Sequence, residues 1–207
     1  RIDSSIRQTP LLKADRLFYN PLSTANLFLK LENLQPTGSF KVRGAMNTLS
    51  MLSKQEKQKG LITASGGNHG LAVAYAAFMA QVPSLIFLPS TTSAKKIDKL
   101  RSWGAAIQVI GDVWDEANEA ALEKAEKNKM TYVHPFAYKR VIEGQGTVAL
   151  EIFKSAPEID TLVVAVGGGG LISGVATAAK KLIPKFVSSA LNRSEPPPTS
   201  KVVRPAK

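Results

Sequence analysis

Two glycine-rich turns, at residues 65–70 and 167–170, most restrict the folds that are open to this chain. The first follows the apolar run 60–64, the second follows the apolar run 161–166, and both precede segments with helical character. Each therefore predicts a strand, a tight turn and a helix. Such turns direct backbone N–H groups and the positive end of a helix dipole at one point. The sequence thus predicts two anion sites at the ends of two strands.

The second turn consists of four consecutive glycines, which leave no Cβ to block an approaching phosphate. A flexible linker is the alternative, but linkers are polar on both sides, whereas Val166 and Leu171 flank this run. An anion-binding loop is therefore favoured. In the first turn Ser65 and Asn68 are also good helix-capping residues, and capping does not exclude binding of a carboxylate.

Lys41 lies between small and apolar neighbours in the segment 38–44 (GSFKVRG), where a turn leads into a predicted helix. A lysine that is partly withdrawn from water favours its charged form less, and a neutral amine can form a Schiff base with a carbonyl group. An ordinary lysine in the first turn of an amphipathic helix is the alternative. Taken alone, this heptapeptide favours the ordinary lysine.

Together these segments resemble the serine/threonine dehydratase and serine racemase family of pyridoxal-phosphate enzymes, which has the tryptophan-synthase-β fold, or fold type II. The resemblance extends from Arg7 to about Leu182. Its strongest motifs are residues 29–41 (LKLENLQPTGSFK), 65–70 (SGGNHG), 134–136 (HPF), 144–147 (GQGT) and the four glycines 167–170.

The resemblance implies a role for each site residue. Lys41 would carry the cofactor as a Schiff base and later act as the base at Cα, while Phe40 would pack nearby and Asn68 would bind the pyridoxal hydroxyl. The residues implied to hold the cofactor phosphate are Gly167, Gly168, Gly169, Gly170 and Leu171. The residues implied to surround the substrate carboxylate are Ser65, Gly67, Asn68 and His69. No histidine is assigned a catalytic role, and His134 is expected to be structural.

Alternating apolar runs and helical patterns predict an α/β fold with parallel sheets and flanking helices. Strands are predicted near 26–31, 60–64, 84–88, 106–110 and 161–166, with helices near 40–52, 70–80, 94–103, 113–128, 141–155 and 171–182. The resemblance divides this into two domains. A small domain, residues 59–137, would be inserted into a large cofactor-binding domain formed by residues 1–58 and 138–184.

The segment 185–207 departs from the family, because it is polar, basic and rich in proline. It is predicted to be a disordered tail. Family members continue instead with further strands and helices, so the large domain is expected to be incomplete. That later part supplies the partner of the pyridine nitrogen and, in some members, a divalent-metal site, which is not expected in this chain.

Differences within the family favour one reaction. Val42 follows the lysine, where threonine synthases of this fold carry Asp, and the turn at Asn68 and His69 differs from that of cysteine synthases. Serine racemases place a hydroxyl side chain at the position of Gly66, where it serves the second face of the substrate. We therefore expect β-elimination of L-serine or L-threonine to a 2-oxo acid and ammonia. A racemase and a non-catalytic remnant that binds anions or partners remain the alternatives.

Composition limits the remaining possibilities. The chain has 207 residues, 44% of them hydrophobic, which is enough for one large or two small domains. It has no cysteine, so disulfides and thiolate catalysis are excluded. The net charge of +11 invites a nucleic-acid hypothesis, but basic residues such as Lys124 and Lys127 alternate with Glu123 and Glu126, as on solvated helix faces.

The resemblance implies a small amino-acid substrate, and the charge pattern leads us to expect no nucleic-acid partner. No apolar run is long enough to span a bilayer and no signal peptide is recognised, so we expect no membrane partner and a cytoplasmic protein. The resemblance also implies a homo-oligomer for full-length family members.

Overall fold

The computed structural model describes residues 5–14, 26–183 and 187–192, and these form helices around short, mostly parallel strands. The strands are β1 (Leu11–Lys13), β2 (Phe28–Lys30), β3 (Leu61–Ala64), β4 (Ser84–Leu88), β5 (Ala106–Val109), β6 (Thr131–Tyr132), β7 (Thr161–Val166) and β8 (Val187–Asn192). The helices are α1 (Lys41–Ser50), α2 (Lys54–Lys59), α3 (Asn68–Ala80), α4 (Ala94–Arg101), α5 (Trp114–Asn128), α6 (Lys139–Ser155) and α7 (Gly170–Leu182), with a short 3₁₀ helix at Glu32–Leu34.

The largest sheet has the strand order β5, β4, β3, β6, and all its strands are parallel. Every residue of its inner strand β3 is buried, as expected for a parallel strand covered on both faces. Helices α3 and α5 both contact β3 and β4. The carboxyl end of β3 leads directly into the turn at residues 65–67, which places that turn at an edge of the sheet.

A second layer consists of α1, α6 and α7, in which α6 crosses both α1 and α7 at glycines. A Cβ on Gly44 would lie 2.6 Å from Gln145 Nε2, and one on Gly144 would lie 2.5 Å from the carbonyl oxygen of Arg43. A Cβ on Gly174 would overlap the carbonyl oxygen of Ile142. Glycine is therefore required where α6 touches α1 and α7, and this close approach fixes the start of α1, which carries Lys41, relative to α6.

The predicted α/β class with parallel strands is observed, and strands 84–88 and 161–166 have their predicted bounds. The short elements β1, β6 and α2 were not predicted. The division into a large and a small domain remains a prediction. Among the described residues, no helix combines the length and apolar character needed to cross a membrane.

The prediction of a disordered tail is wrong for part of its length. Val187–Asn192 forms β8, which pairs in parallel with β7 along all six residues. The prediction weighed the composition of the whole segment, but its prolines at 196–198 lie beyond this strand. Pairing satisfies the N–H and C=O groups on one edge of β7, and this outweighs the weak strand pattern of residues 187–192. Residues 185–186 and 193–207 lie outside the described part of the chain.

Candidate active site

Lys41 is the first residue of α1, directly after the N-cap residue Phe40. Its Nζ donates a hydrogen bond to the carbonyl oxygen of Pro135 at 2.7 Å and lies 5.4 Å from the centre of the Phe40 ring. Burial lowers the pKa of the Lys41 amine below its usual value. The amine is therefore closer to the neutral, nucleophilic form than a surface lysine would be.

A second carbonyl group of the same segment, that of Val133, also binds side chains. It accepts hydrogen bonds from Thr63 Oγ1 on β3 and from His69 Nε2 on α3, each at 2.8 Å. Lys41, Thr63 and His69 thus all donate to one short stretch of backbone. This stretch connects β6 to α6, and it is fixed by side chains from both layers.

The side chain of His134 stabilises the turn that follows. Its Nδ1 accepts hydrogen bonds from the backbone N–H groups of Phe136 and Ala137, at 3.2 and 2.9 Å. Burial lowers the pKa of His134, so the neutral acceptor form is favoured. This geometry agrees with the structural role expected for His134.

The glycine loop lies against Phe136. A Cβ on Gly168 would lie 2.5 Å from Phe136 Cδ1, and one on Gly170 would lie 2.8 Å from the carbonyl oxygen of Phe136. Gly169 is the N-cap residue of α7 and has a φ of +82°, which favours glycine. Among the described residues, the N–H groups of Gly170 and Leu171 have no hydrogen-bond partner, so the start of α7 can accept an anion.

The turn at residues 65–67 leads into α3, which begins at Asn68. Ser65 Oγ accepts a hydrogen bond from the N–H of Gly67 at 3.3 Å. The N–H groups of Asn68, His69 and Gly70 find no partner among the described residues. A Cβ on Gly70 would overlap the carbonyl oxygen of Ser65, so only glycine allows the turn to fold this tightly onto the helix. The free N–H groups form a second place for an anion.

His69 is one of the residues expected to surround a carboxylate, and its side chain is turned to another partner. The ring is 4% exposed and its Nε2 is bonded to Val133, while its Nδ1 is buried without a partner. Burial lowers the pKa of His69 to about 4, so the ring is neutral at physiological pH and Nδ1 is an acceptor. An acceptor does not bind a carboxylate, so only the backbone N–H of His69 fits the expected role.

Residues 133–136 bring the three predicted segments together. Lys41 contacts Pro135, the turn before α3 is tied to Val133 through His69, and the glycine loop packs on Phe136. The motif 134–136 contributes to the resemblance, but the sequence alone indicated no role for Pro135 or Phe136. Their roles depend on a carbonyl oxygen and on ring packing, and neither is visible in a residue's type.

A family model described as pyridoxal-phosphate dependent enzyme matches residues 2–201. The chain belongs to this family. A relative within it is the L-threonine ammonia-lyase of Thermotoga maritima, which is 48% identical over 159 residues. The alignment covers 77% of this chain and 40% of that enzyme. The resemblance predicted from the motifs is confirmed.

Two solved structures of the family have a similar fold. The processed form of threonine deaminase isoform 2 from Solanum lycopersicum has a TM-score of 0.85 and 40% identity, and the match covers 90% of this chain and 51% of that one. Maize serine racemase has a TM-score of 0.86 and 36% identity, covering 92% and 57%. The predicted fold type II is confirmed, and the chain spans about half the length of these relatives.

Pyridoxal phosphate is the cofactor of this family, and the residues present fit it. Lys41 offers a desolvated amine, and the start of α7 offers free N–H groups next to Gly167, whose Cβ position has no atom within 4 Å. The buried hydroxyl oxygens of Thr37 and Ser39, just before Lys41, also have no hydrogen-bond partner among the described residues. An aldehyde and a phosphate would find complementary groups here.

Proposed function

We propose that this chain carries the cofactor-binding half of a pyridoxal-phosphate-dependent ammonia-lyase that acts on L-threonine or L-serine. The observation that carries the proposal is the convergence of Lys41 and two anion-binding turns on residues 133–136. The names of its relatives, an L-threonine ammonia-lyase and a threonine deaminase, support the reaction class. We further infer a cytoplasmic, homo-oligomeric full-length protein, as expected for this family.

The cofactor would be held at both ends. Lys41 would link covalently to its aldehyde carbon, Phe40 would pack beside it, and Asn68 would bind its hydroxyl group. The N–H groups at Gly167 to Leu171 would hold its phosphate. When bound, pyridoxal phosphate draws electrons away from Cα of the amino acid and so makes the Cα proton easier to remove.

The chain's own residues would then bind the substrate and move its proton. The free N–H groups of Asn68 and His69, with Ser65 and Gly67, would bind the substrate carboxylate and orient Cα toward Lys41. Once the substrate amine has displaced it from the cofactor, the neutral Lys41 amine would take the Cα proton, and the carbonyl oxygen of Pro135 would hold that amine in place. The proton taken from Cα balances the hydroxide that leaves Cβ, so water is lost and an enamine forms, whose hydrolysis gives a 2-oxo acid and ammonia.

Racemisation is the second candidate, because the fold is also similar to that of maize serine racemase. A racemase needs a second proton-transfer group on the face of Cα opposite the lysine. The racemases of this family place a hydroxyl side chain at the position that Gly66 occupies here, and glycine has no proton to give. Elimination is therefore the favoured outcome. Chiral analysis of the product from L-serine separates the two reactions.

The proposal is tested by the absorbance spectrum of the purified chain after incubation with pyridoxal phosphate. A visible band is expected, and borohydride reduction followed by mass spectrometry should place the adduct on Lys41. Lys41→Ala should lose both the band and the adduct. Lys30 is a suitable internal control, since its Nζ is held by Glu151 at 2.6 Å. An adduct on Lys30 or Lys95 in place of Lys41 would contradict the proposal.

A further inference from the structure

Thr92 lies against the turn that is proposed to bind the substrate carboxylate. It belongs to the loop between β4 and α4, and β4 is the parallel neighbour of β3, so both loops leave the same edge of the sheet. A Cβ on Gly66 would lie 3.0 Å from Thr92 Cγ2 and 3.3 Å from Thr92 Oγ1. The side chain of Thr92 thus lies next to the space that a side chain at position 66 would enter.

The hydroxyl of Thr92 is free, although its backbone is fixed. Thr92 is half-buried, its N–H donates to the carbonyl oxygen of Pro89 at 3.0 Å, and its Oγ1 makes no hydrogen bond with any residue that the structure describes. The adjacent Thr91 differs, because it is exposed and its Oγ1 donates to the carbonyl oxygen of Asp112. Two neighbouring threonines therefore have different environments, and only Thr92 faces the turn.

Trp114 fixes the other side of the same turn. Its indole N–H donates to the carbonyl oxygen of Ala64 at 2.8 Å, and Ala64 directly precedes Ser65. The ring is 40% exposed, so it lies at the surface next to the turn. The carbonyl group directly before the turn is thereby held by the first residue of α5, and Thr92 lies against the turn from the loop that follows β4.

We propose that Thr92 Oγ1 donates a hydrogen bond to the carboxylate of the amino-acid substrate, alongside the N–H groups of Asn68 and His69. This rests on the proposed function. A carboxylate offers about four lone-pair positions, more than the turn's N–H groups fill. A half-buried hydroxyl without a partner gains more from such a bond than an exposed one, because a hydrogen bond to a charged group is stronger away from water.

The test measures binding of L-2-aminobutanoate, which has the carbon skeleton of threonine but no β-hydroxyl to lose. The chain has two tryptophans, so a Trp103→Phe background leaves Trp114 as the fluorescent reporter beside the turn. With the cofactor loaded, Thr92→Val should weaken binding about tenfold, as expected for loss of a hydrogen bond to a charged group. Thr92→Ser should stay within about threefold of the parent chain, since it keeps the hydroxyl.

Thr91→Val is the matched control and should leave the affinity unchanged. Cofactor content is read from visible absorbance, so that loss of cofactor is not mistaken for loss of substrate binding. Equal affinities of the parent and Thr92→Val would overturn the inference. If Thr92→Val weakened binding of L-threonine but not of L-2-aminobutanoate, the inference would also be overturned, because the Thr92 hydroxyl would then bind the β-hydroxyl group of the substrate. Failure of the parent itself to bind either amino acid would refute the proposed function, and this inference with it.

Discussion

The absence of a Cβ at Gly168 allows the glycine loop to pack against the Phe136 ring. The Phe136 ring occupies the space next to it, whereas a Cβ on the adjacent Gly167 would meet no atom within 4 Å. Gly168→Ala should therefore displace either the loop or the ring and reduce retention of pyridoxal phosphate about tenfold or more, while the chain stays folded. Gly168→Asp should abolish retention, because it also adds a negative charge. Equal retention by the parent chain and both variants in equilibrium dialysis would contradict this role.

We expect Gly66 to determine which reaction follows removal of the Cα proton. Turnover of L-serine or L-threonine should give 2-oxo acid with little D-amino acid, because this position offers no proton. Gly66→Ser should raise racemisation relative to elimination, although the new side chain requires Thr92 to move by a few tenths of an ångström. Chiral chromatography of the products measures the ratio. Equal racemisation in the parent and the variant would show that another residue serves the second face.

His69 makes the stability of the chain depend on pH. Its pKa is about 4 in the folded chain and about 6.5 in the unfolded chain, because the folded ring is buried beside Lys41 and His134. As the pH falls below 6.5, the unfolded chain takes up a proton that the folded chain refuses, so stability is lost between pH 6.5 and about 4. The loss should reach about 2 kcal/mol by pH 5.

Urea unfolding at pH 7 and pH 5 measures this loss. His69→Gln keeps a donor near Val133 but cannot titrate, so its free energy of unfolding should depend less on pH by that amount. His134 is present in both chains, and its contribution therefore cancels in the comparison. The same pH dependence in both chains would mean that His69 is not buried in its neutral form.

At the scale of secondary structure elements, Arg43 joins the start of α1 to α6 and to the 3₁₀ helix. It is fully buried, and its guanidinium donates to both carboxylate oxygens of Glu32 and of Glu151, at 2.6–2.9 Å. Burial alone would lower the pKa of Arg43, but these hydrogen bonds raise it above its usual value. Lys30 and Thr147 complete the cluster. The cluster contains two positive and two negative side chains, and it anchors α1 at a position two residues after Lys41.

Arg43→Met should destabilise the chain by about 3–5 kcal/mol, because it leaves two partly buried carboxylates without their common partner. Arg101→Met is the matched control. Its guanidinium lies 3.8 Å from Asp98 with both side chains well exposed, so the change should be below about 1 kcal/mol. Urea unfolding at neutral pH compares the two variants. Similar small losses in both would show that the Arg43 cluster contributes no more than a surface ion pair.

At the scale of the whole molecule, one apolar face lacks cover among the described residues. Thr161, Val163 and Ala165 on one face of β7 are exposed, and Val163 is 62% exposed. Leu162 and Val164, which alternate with Val163, pack instead into the core formed with α6 and α7. The second face of β7 thus has the apolar character of a surface that needs a partner.

We expect these 207 residues alone to self-associate and to turn over L-threonine slowly. The exposed face favours association, and the part of the family fold that binds the pyridine nitrogen was not located in the sequence. Val163→Lys should raise the monomer fraction in sedimentation velocity, because a charge opposes burial of that face. Leu12→Lys, on the exposed side of β1, is a control for a general gain in solubility. A monodisperse parent chain with turnover comparable to that of full-length relatives would contradict this expectation.

Local sequence patterns predicted the major elements because each has a strong local cause. The apolar runs of β4 and β7 and the glycine turns before α3 and α7 mark their own boundaries. The strands β1 and β6 contain three and two residues, too few for a pattern to emerge. β8 was missed for a different reason, since its pairing depends on the free edge of β7 rather than on its own composition.

The sequence by itself determined the family and the fold class and predicted the three segments of the candidate site, because each segment is a contiguous motif whose chemistry follows from neighbouring residues. Only the tertiary structure decided how they act together. The contact of Lys41 with Pro135 spans 94 positions, and that of Arg43 with Glu151 spans 108. Such contacts depend on where helices cross, and α1 and α6 cross closely at Gly44 and Gly144. Burial of His69 and placement of Thr92 beside Gly66 likewise arise from packing between distant segments, which no local pattern encodes.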